Sequence, residues 1–144
     1  MKSKEVTAIE QEAKRMNVDA ALYVLDKKRG ECGAIQYAVE SDNEITARFF
    51  SAFAVKDNVT RRAVFSRLKR NGLPALGTVS VRVDDNVAIV CYERRLDAGY
   101  GYRNRERVLG NFLTENLFVV QSIAEREINL PKKKKKKKEG NAIG

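Results

Sequence analysis

The 144-residue chain contains no histidine, which removes the commonest general base and the commonest ligand for transition metals. Ser-His-Asp and Cys-His nucleophilic arrangements are therefore impossible. The two cysteines leave almost nothing from which to assemble a zinc site. Cys32 precedes Gly33-Ala34-Ile35 and Cys91 follows Ile89-Val90, so both read as small buried hydrophobes with free, inert thiols. A bridge between them would need Cα atoms within roughly 7 Å of each other. No Gly-x-x-x-x-Gly-Lys-Ser/Thr run occurs, and Gly99-x-Gly101 lacks the third glycine and the preceding strand of a dinucleotide fingerprint. Asp84-Asp85 sits where a hairpin should turn, a role that Asp and Asn tolerate well, and this outweighs a metal role. The expectation is a non-enzymatic protein with no catalytic residues, no metal and no cofactor.

The side chains that carry chemistry here are cationic and aromatic. Arg61, Arg62, Arg67, Lys69 and Arg70 cluster in one stretch; Arg94 and Arg95 end a strand; Arg103, Arg105 and Arg107 follow Tyr100 and Tyr102. Guanidinium forks and tyrosine faces together suit phosphate contact and base stacking. The bland alternative is a solvated face balanced by Glu93, Asp97 and Glu106. Further on, Lys132, Lys133, Lys134, Lys135, Lys136, Lys137 and Lys138 are consecutive. Such a run repels itself and is expected to be a disordered tail over 131–144. It would touch RNA, DNA, anionic lipid or acidic protein without sequence readout, or serve solubility alone.

The elements that must position these groups follow from periodicity. Val6, Ile9, Ala13 and Met16 recur at helical spacing, which predicts a helix over about Ser3 to Met16, capped by Ser3 or Thr7. Ala21–Leu25, Cys32–Val39 and Ile45–Val55 read as strands separated by short polar turns, an antiparallel meander. Asp57 or Asn58 is the expected N-cap of a second helix running to Arg70, and Asn71-Gly72 followed by Pro74 stops it. Thr78–Val83 and Val87–Tyr92 form a hairpin around Asp84-Asp85-Asn86. A loop is expected over 96–102, then a long helix, roughly Asn104 to Glu127, with a broad apolar stripe. The order α-β-β-β-α-β-β-α predicts one α+β domain over 1–130, with an antiparallel sheet and helices packed mainly on one face.

Composition supports this reading. The chain is 43% hydrophobic, enough for an ordinary core. Its net charge is +9; seven lysines and Glu139 give the last fourteen residues +6, so residues 1–131 carry 21 basic and 18 acidic side chains, a net of +3. The body is only mildly basic. No stretch approaches the roughly 20 apolar residues of a membrane span, and Met1 to Glu5 lead into a polar amphipathic segment, so the cytoplasm is the expected location.

The element order resembles the type III secretion chaperone-like fold, including the YbjN-type bacterial family. The resemblance covers about residues 5–127. It is carried by the passage Ala63-Val64-Phe65-Ser66-Arg67-Leu68-Lys69-Arg70-Asn71-Gly72-Leu73-Pro74 and by Glu93-Arg94-Arg95-Leu96-Asp97 ahead of a long apolar helix. It implies a homodimer that holds a protein client along apolar patches on its sheet and first helix, without catalytic residues. Secretion chaperones are typically acidic and lack a polylysine tail, and this chain departs from both features. The leading expectation is a chaperone-like or adaptor module binding a protein partner. Its contacts would come from Phe49, Phe50, Phe53 and Tyr92, with one of the adjacent phenylalanines exposed because strand alternation sends them to opposite faces. The alternative is a nucleic-acid-binding accessory protein using the arginine clusters and the lysine run.

Overall fold

In the computed structural model the described residues are 4–16, 23–26, 32–41, 43–74, 76–97 and 102–129; for Tyr23–Asp26, Cys32 and Tyr102 the description is of the backbone. The elements are α1 (Lys4–Arg15), β1 (Tyr23–Asp26), β2 (Cys32–Ser41), β3 (Glu44–Ala54), α2 (Arg61–Arg70), β4 (Gly77–Asp84), β5 (Val87–Asp97) and α3 (Tyr102–Ile123). A π-helical turn, Ala124–Ile128, continues α3. The α+β class and the element order are those expected from periodicity.

The strands form one antiparallel sheet in the order β1-β2-β3-β5-β4. The meander accounts for β1 to β3, and the second hairpin is inserted so that β5, not β4, lies against β3. Asp84 pairs with Val87 across a two-residue turn in which Asp85 and Asn86 have φ of 52° and 62°. Both central residues must adopt positive φ in such a turn, which its twist matches to the strands. Asn86 also donates from Nδ2 to the Val55 carbonyl at 3.2 Å and to Asp57 Oδ1 at 2.7 Å. Asp85 meets Lys4 at 3.2 Å. The aspartate pair thus shapes and ties down a turn.

Alternation along β3 and β5 sends apolar side chains to both faces, and helices cover both. On one face, Phe49, Phe53, Val90 and Tyr92 pack against Val64 and Leu68 of α2 and Phe112, Leu117 and Val120 of α3. The Tyr92 and Phe112 rings lie 5.6 Å apart, inclined at 31°. Gly33 admits α3 here, since a Cβ would meet Leu117 Cδ1 at 2.9 Å. On the other face Ala34, Phe50, Ala52, Ile89 and Cys91 receive Val6, Ile9 and Ala13 of α1. Two helices therefore share the majority face, and the first stands alone opposite them. A buried carboxylate helps hold α1 down: Glu12 accepts from Arg15 Nε at 3.2 Å and Nη2 at 2.8 Å, and Arg82 Nε lies 3.6 Å away.

This two-sided cover corrects the expectation of an exposed aromatic surface. Phe49 and Phe50 do point to opposite faces, but both are 0% exposed, and Phe53 and Tyr92 are buried as well. Alternation decides the face of a strand side chain; it does not say whether that face is open, and α1 closes the second one. Three boundaries also move. Helix α2 begins later than expected, behind Thr60 instead of Asp57 or Asn58. Strand β5 runs on through Asp97, absorbing Leu96 from the expected loop, and α3 starts at Tyr102. Ala21, Leu22, the turn over 27–30, Tyr100 and the segment 131–144 lie outside the described residues.

Candidate nucleic-acid interface

Helix α2 is ten residues long, RRAVFSRLKR, with five cations and no acid. Its order comes from its ends and from one buried edge. At the start, the Thr60 hydroxyl accepts from the Ala63 N–H at 3.1 Å, satisfying one of the unpaired amides of the first turn. At the finish, the Leu73 N–H reaches the Leu68 carbonyl at 2.9 Å and the Gly72 N–H reaches Lys69 at 3.1 Å. Gly72 has φ of 92°. This is the Schellman arrangement, in which glycine takes the left-handed position without steric cost. Val64 and Leu68 are buried on the sheet, so Arg61, Arg62, Lys69 and Arg70 are left facing outward.

The charge on that outward face is poorly balanced. Arg61 and Arg62 stand at the positive end of the helix dipole, where a cation is unfavourable by a few tenths of a kcal/mol, and they repel each other. Among the described residues no ion pair is formed by Arg61, Arg62 or Lys69. Among the described residues, the counter-charge for this face is Glu127 in the π turn that continues α3. Glu127 Oε1 lies 3.9 Å from Arg67 Nε and 4.0 Å from Arg70 Nη1. Its Oε2 accepts from Asn71 Nδ2 at 2.9 Å. Long contacts between partly exposed groups of this kind contribute little stability.

Contacts at the end of the π turn hold Asn129 in place. The Asn129 N–H closes the π turn on the Ala124 carbonyl at 2.8 Å, and its Nδ2 donates to the Ala54 carbonyl at the end of β3, also at 2.8 Å. Asn129 is thus anchored beside the carboxylate that meets α2. Lys132 follows three residues later in sequence, within roughly 11 Å of chain. The outward cations of α2 and the anchored Asn129 share one end of the described fold.

The remaining arginines do not join this surface. Arg94 and Arg95 lie at the end of β5, and Arg103, Arg105 and Arg107 on the first turns of α3. The 22 residues of α3 separate the two ends by roughly 33 Å at 1.5 Å per residue. Arg94 is half-buried, its Nε enclosed without a hydrogen-bond partner. Arg95 lies 3.9 Å from Glu44. Arg107 donates to Asn104 Oδ1. Arg105 borders an open groove of about 330 Å³ floored by Ile35, Tyr37, Leu109 and Leu113. Arg103 is exposed. The side chains of Tyr100 and Tyr102 lie outside the description. Among the predicted cations, the structure brings together Arg61, Arg62, Arg67, Lys69 and Arg70; Lys132–Lys138 lie outside the described residues.

Glu127, Asn129 and Thr60 escaped the sequence reading. Thr60 is a good cap directly before Arg61 and was legible in principle. The other two act across 56 and 75 positions of sequence, and no local signal marks them. Chemically the surface offers guanidinium forks that match phosphate oxygens. Burial pushes the Cys91 pKa up to about 12, against a smaller lowering by Arg48, and its Sγ contacts Met16 Sδ at 3.9 Å. Among the described residues no three acids or cysteines gather into a metal-binding group, and no helix is long and apolar enough to cross a membrane. Comparison with protein-family models, curated proteins and solved structures finds no match.

Proposed function

We propose that this protein is a non-enzymatic nucleic-acid-binding accessory protein whose phosphate-binding surface is the outward face of α2, extended by the lysine run. The carrying observation is the shared placement of Arg61, Arg62 and Lys69, without ion-pair partners among the described residues, with the anchored Asn129 from which the lysines follow. A folded helix supplies oriented forks for phosphate oxygens, and the lysines that follow Pro131 in the sequence add charge along the backbone. Recognition of this kind is driven by counterion release and reads no sequence. The client-binding reading has lost its four aromatic contacts to the core. What supports it still is the groove beside Arg105, with its apolar floor.

The test is a fluorescence-anisotropy titration of labelled duplex and single-stranded oligonucleotides against the full chain, over a salt series. A second chain carries serine at all of Lys132 to Lys138. About six phosphate contacts would give log K a slope near −5 against log salt for a duplex. The serine chain should keep a shallower, measurable slope from α2. Loss of all binding by the serine chain at low salt would overturn the role of α2. Failure of the full chain to bind either oligonucleotide at low salt would overturn the proposal altogether.

A further inference from the structure

Among the described residues, α1 is the helix that covers the Phe50 face of the sheet, and it does so with a short apolar stripe. Val6, Ile9 and Ala13 enter a cluster with Ala34, Phe50, Ala52, Ile89 and Cys91, and Met16 packs against that cluster from its rim. The Met16 N–H bonds the Glu12 carbonyl at 3.1 Å, so the helical turn carries past Arg15 to this residue. Met16 is half-buried and also borders an open cavity of about 320 Å³, whose walls include Gln36, Thr46, Arg48 and Glu93. Its Sδ lies 3.9 Å from the Sγ of Cys91. Two sulfur atoms therefore meet at the edge of the cluster, one enclosed and one beside a polar cavity.

We propose that Met16 is an oxidative modification site, at which a peroxide converts the thioether to a sulfoxide and loosens α1 on the sheet. A thioether sulfur keeps its lone pair at any pH and needs only access. Hydrogen peroxide supplies one oxygen: an S–O bond forms at Sδ, the O–O bond breaks, and the second oxygen leaves as water. Sulfur loses two electrons and the peroxide gains them. Cys91 is the poorer target, because burial encloses its thiol and holds it protonated, with the pKa raised to about 12. The product is polar where the reactant was apolar. Against the cluster the new oxygen meets apolar surface and the weak S–H donor of Cys91. On the cavity side it meets solvent, Thr46 and Arg48. A buried polar group without a partner is costly, so the sulfoxide turns to the cavity and draws the last turn of α1 from the cluster. The ion pairs that remain, Glu12 with Arg82 at 3.6 Å and Lys4 with Asp85 at 3.2 Å, have exposed partners and hold the helix only weakly.

This inference is independent of the proposed function. The test treats the full chain with hydrogen peroxide at neutral pH. Peptide mass spectrometry locates the added oxygen, and amide hydrogen exchange reads α1 and α2 separately. Oxygen should appear on Met16, while Cys91 stays a thiol that alkylates only after denaturation. Exchange of the α1 amides should then quicken by about tenfold, with α2 unchanged as the internal reference. Met16→Leu keeps the apolar contact without the reactive sulfur, and its α1 exchange should not respond to peroxide. Met16→Gln places a polar amide at the same position and should reproduce the faster exchange without any oxidant. Five results would each overturn the inference: Met16 left unmodified, Cys91 oxidised ahead of it, a fully oxidised Met16 with α1 exchange unchanged, the same acceleration in Met16→Leu, or a Met16→Gln chain that exchanges as the wild type does.

Discussion

Two ends of α3 hold arginines in similar number, and they use them differently. At the end where α2 meets the π turn, Arg61 and Arg62 face outward without ion pairs among the described residues, and Glu127 meets only Arg67 and Arg70 at 3.9 and 4.0 Å. At the opposite end Arg95 and Arg103 are exposed, but several cations meet groups from neighbouring elements. Arg48 bonds Glu93 at 3.1 Å, Arg94 is half-enclosed, Arg95 pairs with Glu44, and Arg105 walls a groove. A count of arginines along the chain treats both groups alike. The difference lies in whether acids from other strands face them, and in whether a helix or a strand presents them. A short helix with one buried edge turns most of its surface to solvent, whereas a strand next to α3 turns every second residue inward.

The comparison breaks most directly by charge reversal. Arg61→Glu/Arg62→Glu should lower oligonucleotide affinity by about 100-fold at moderate salt, each change removing a contact and adding a repulsion. Arg95→Glu/Arg103→Glu should lower it by less than about fivefold. Equal losses in the same anisotropy titration would mean that the two ends are not distinct.

Alkaline pH separates the interior from the surface. Burial raises the Cys91 pKa to about 12 from 9.0, so the thiol stays protonated in the fold while it ionises in the unfolded chain. The unfolded state then binds fewer protons between those values, and stability falls as pH rises through that window. About 2 kcal/mol should be lost by pH 10.5 relative to pH 8, at 1.36 kcal/mol per unit. Urea denaturation of the wild type against Cys91→Ala isolates this from other alkaline titrations, and the variant should show a correspondingly smaller loss.

Smaller effects refine the picture of α2 itself. Thr60→Ala removes the N-cap and should cost about 1 kcal/mol by thermal or urea denaturation. Its effect on affinity should be weaker than that of either arginine, which separates helix order from helix charge. Among the described residues, Glu127 is the carboxylate that meets this surface, and Glu127→Gln removes its charge. It should raise oligonucleotide affinity by about threefold with little change in stability, as exposed ion pairs at long distance predict. A fall in affinity would show that Glu127 orients Arg67 and Arg70 for binding instead of competing for them.

Much of the architecture was legible in the residues. The alternation of Thr78 to Val83, the turn at Asp84-Asp85-Asn86 and the Asn71-Gly72 stop are short-range signals, and each names its own geometry. The candidate surface was legible only in part. Its cations were visible, but Arg94 and Arg105 could not be told from Arg61 and Arg62, because their surroundings come from β4, β2 and distant turns of α3. Phe50 illustrates the limit most clearly. Its period placed it opposite Phe49, and nothing near it in sequence announces that α1, some 40 positions earlier, lies over it.

What the residues determined by themselves was local: which segments curl or extend, where they stop, and that a run of seven lysines follows the last helix. Backbone sterics and nearest-neighbour hydrogen bonds act over a few positions, so a few positions suffice to read them. Which face each helix covers, which arginines meet acids, and where the last helix delivers the chain were decided only by tertiary packing. Those outcomes depend on burying apolar area between segments far apart in sequence, and on charges that become neighbours only after that burial.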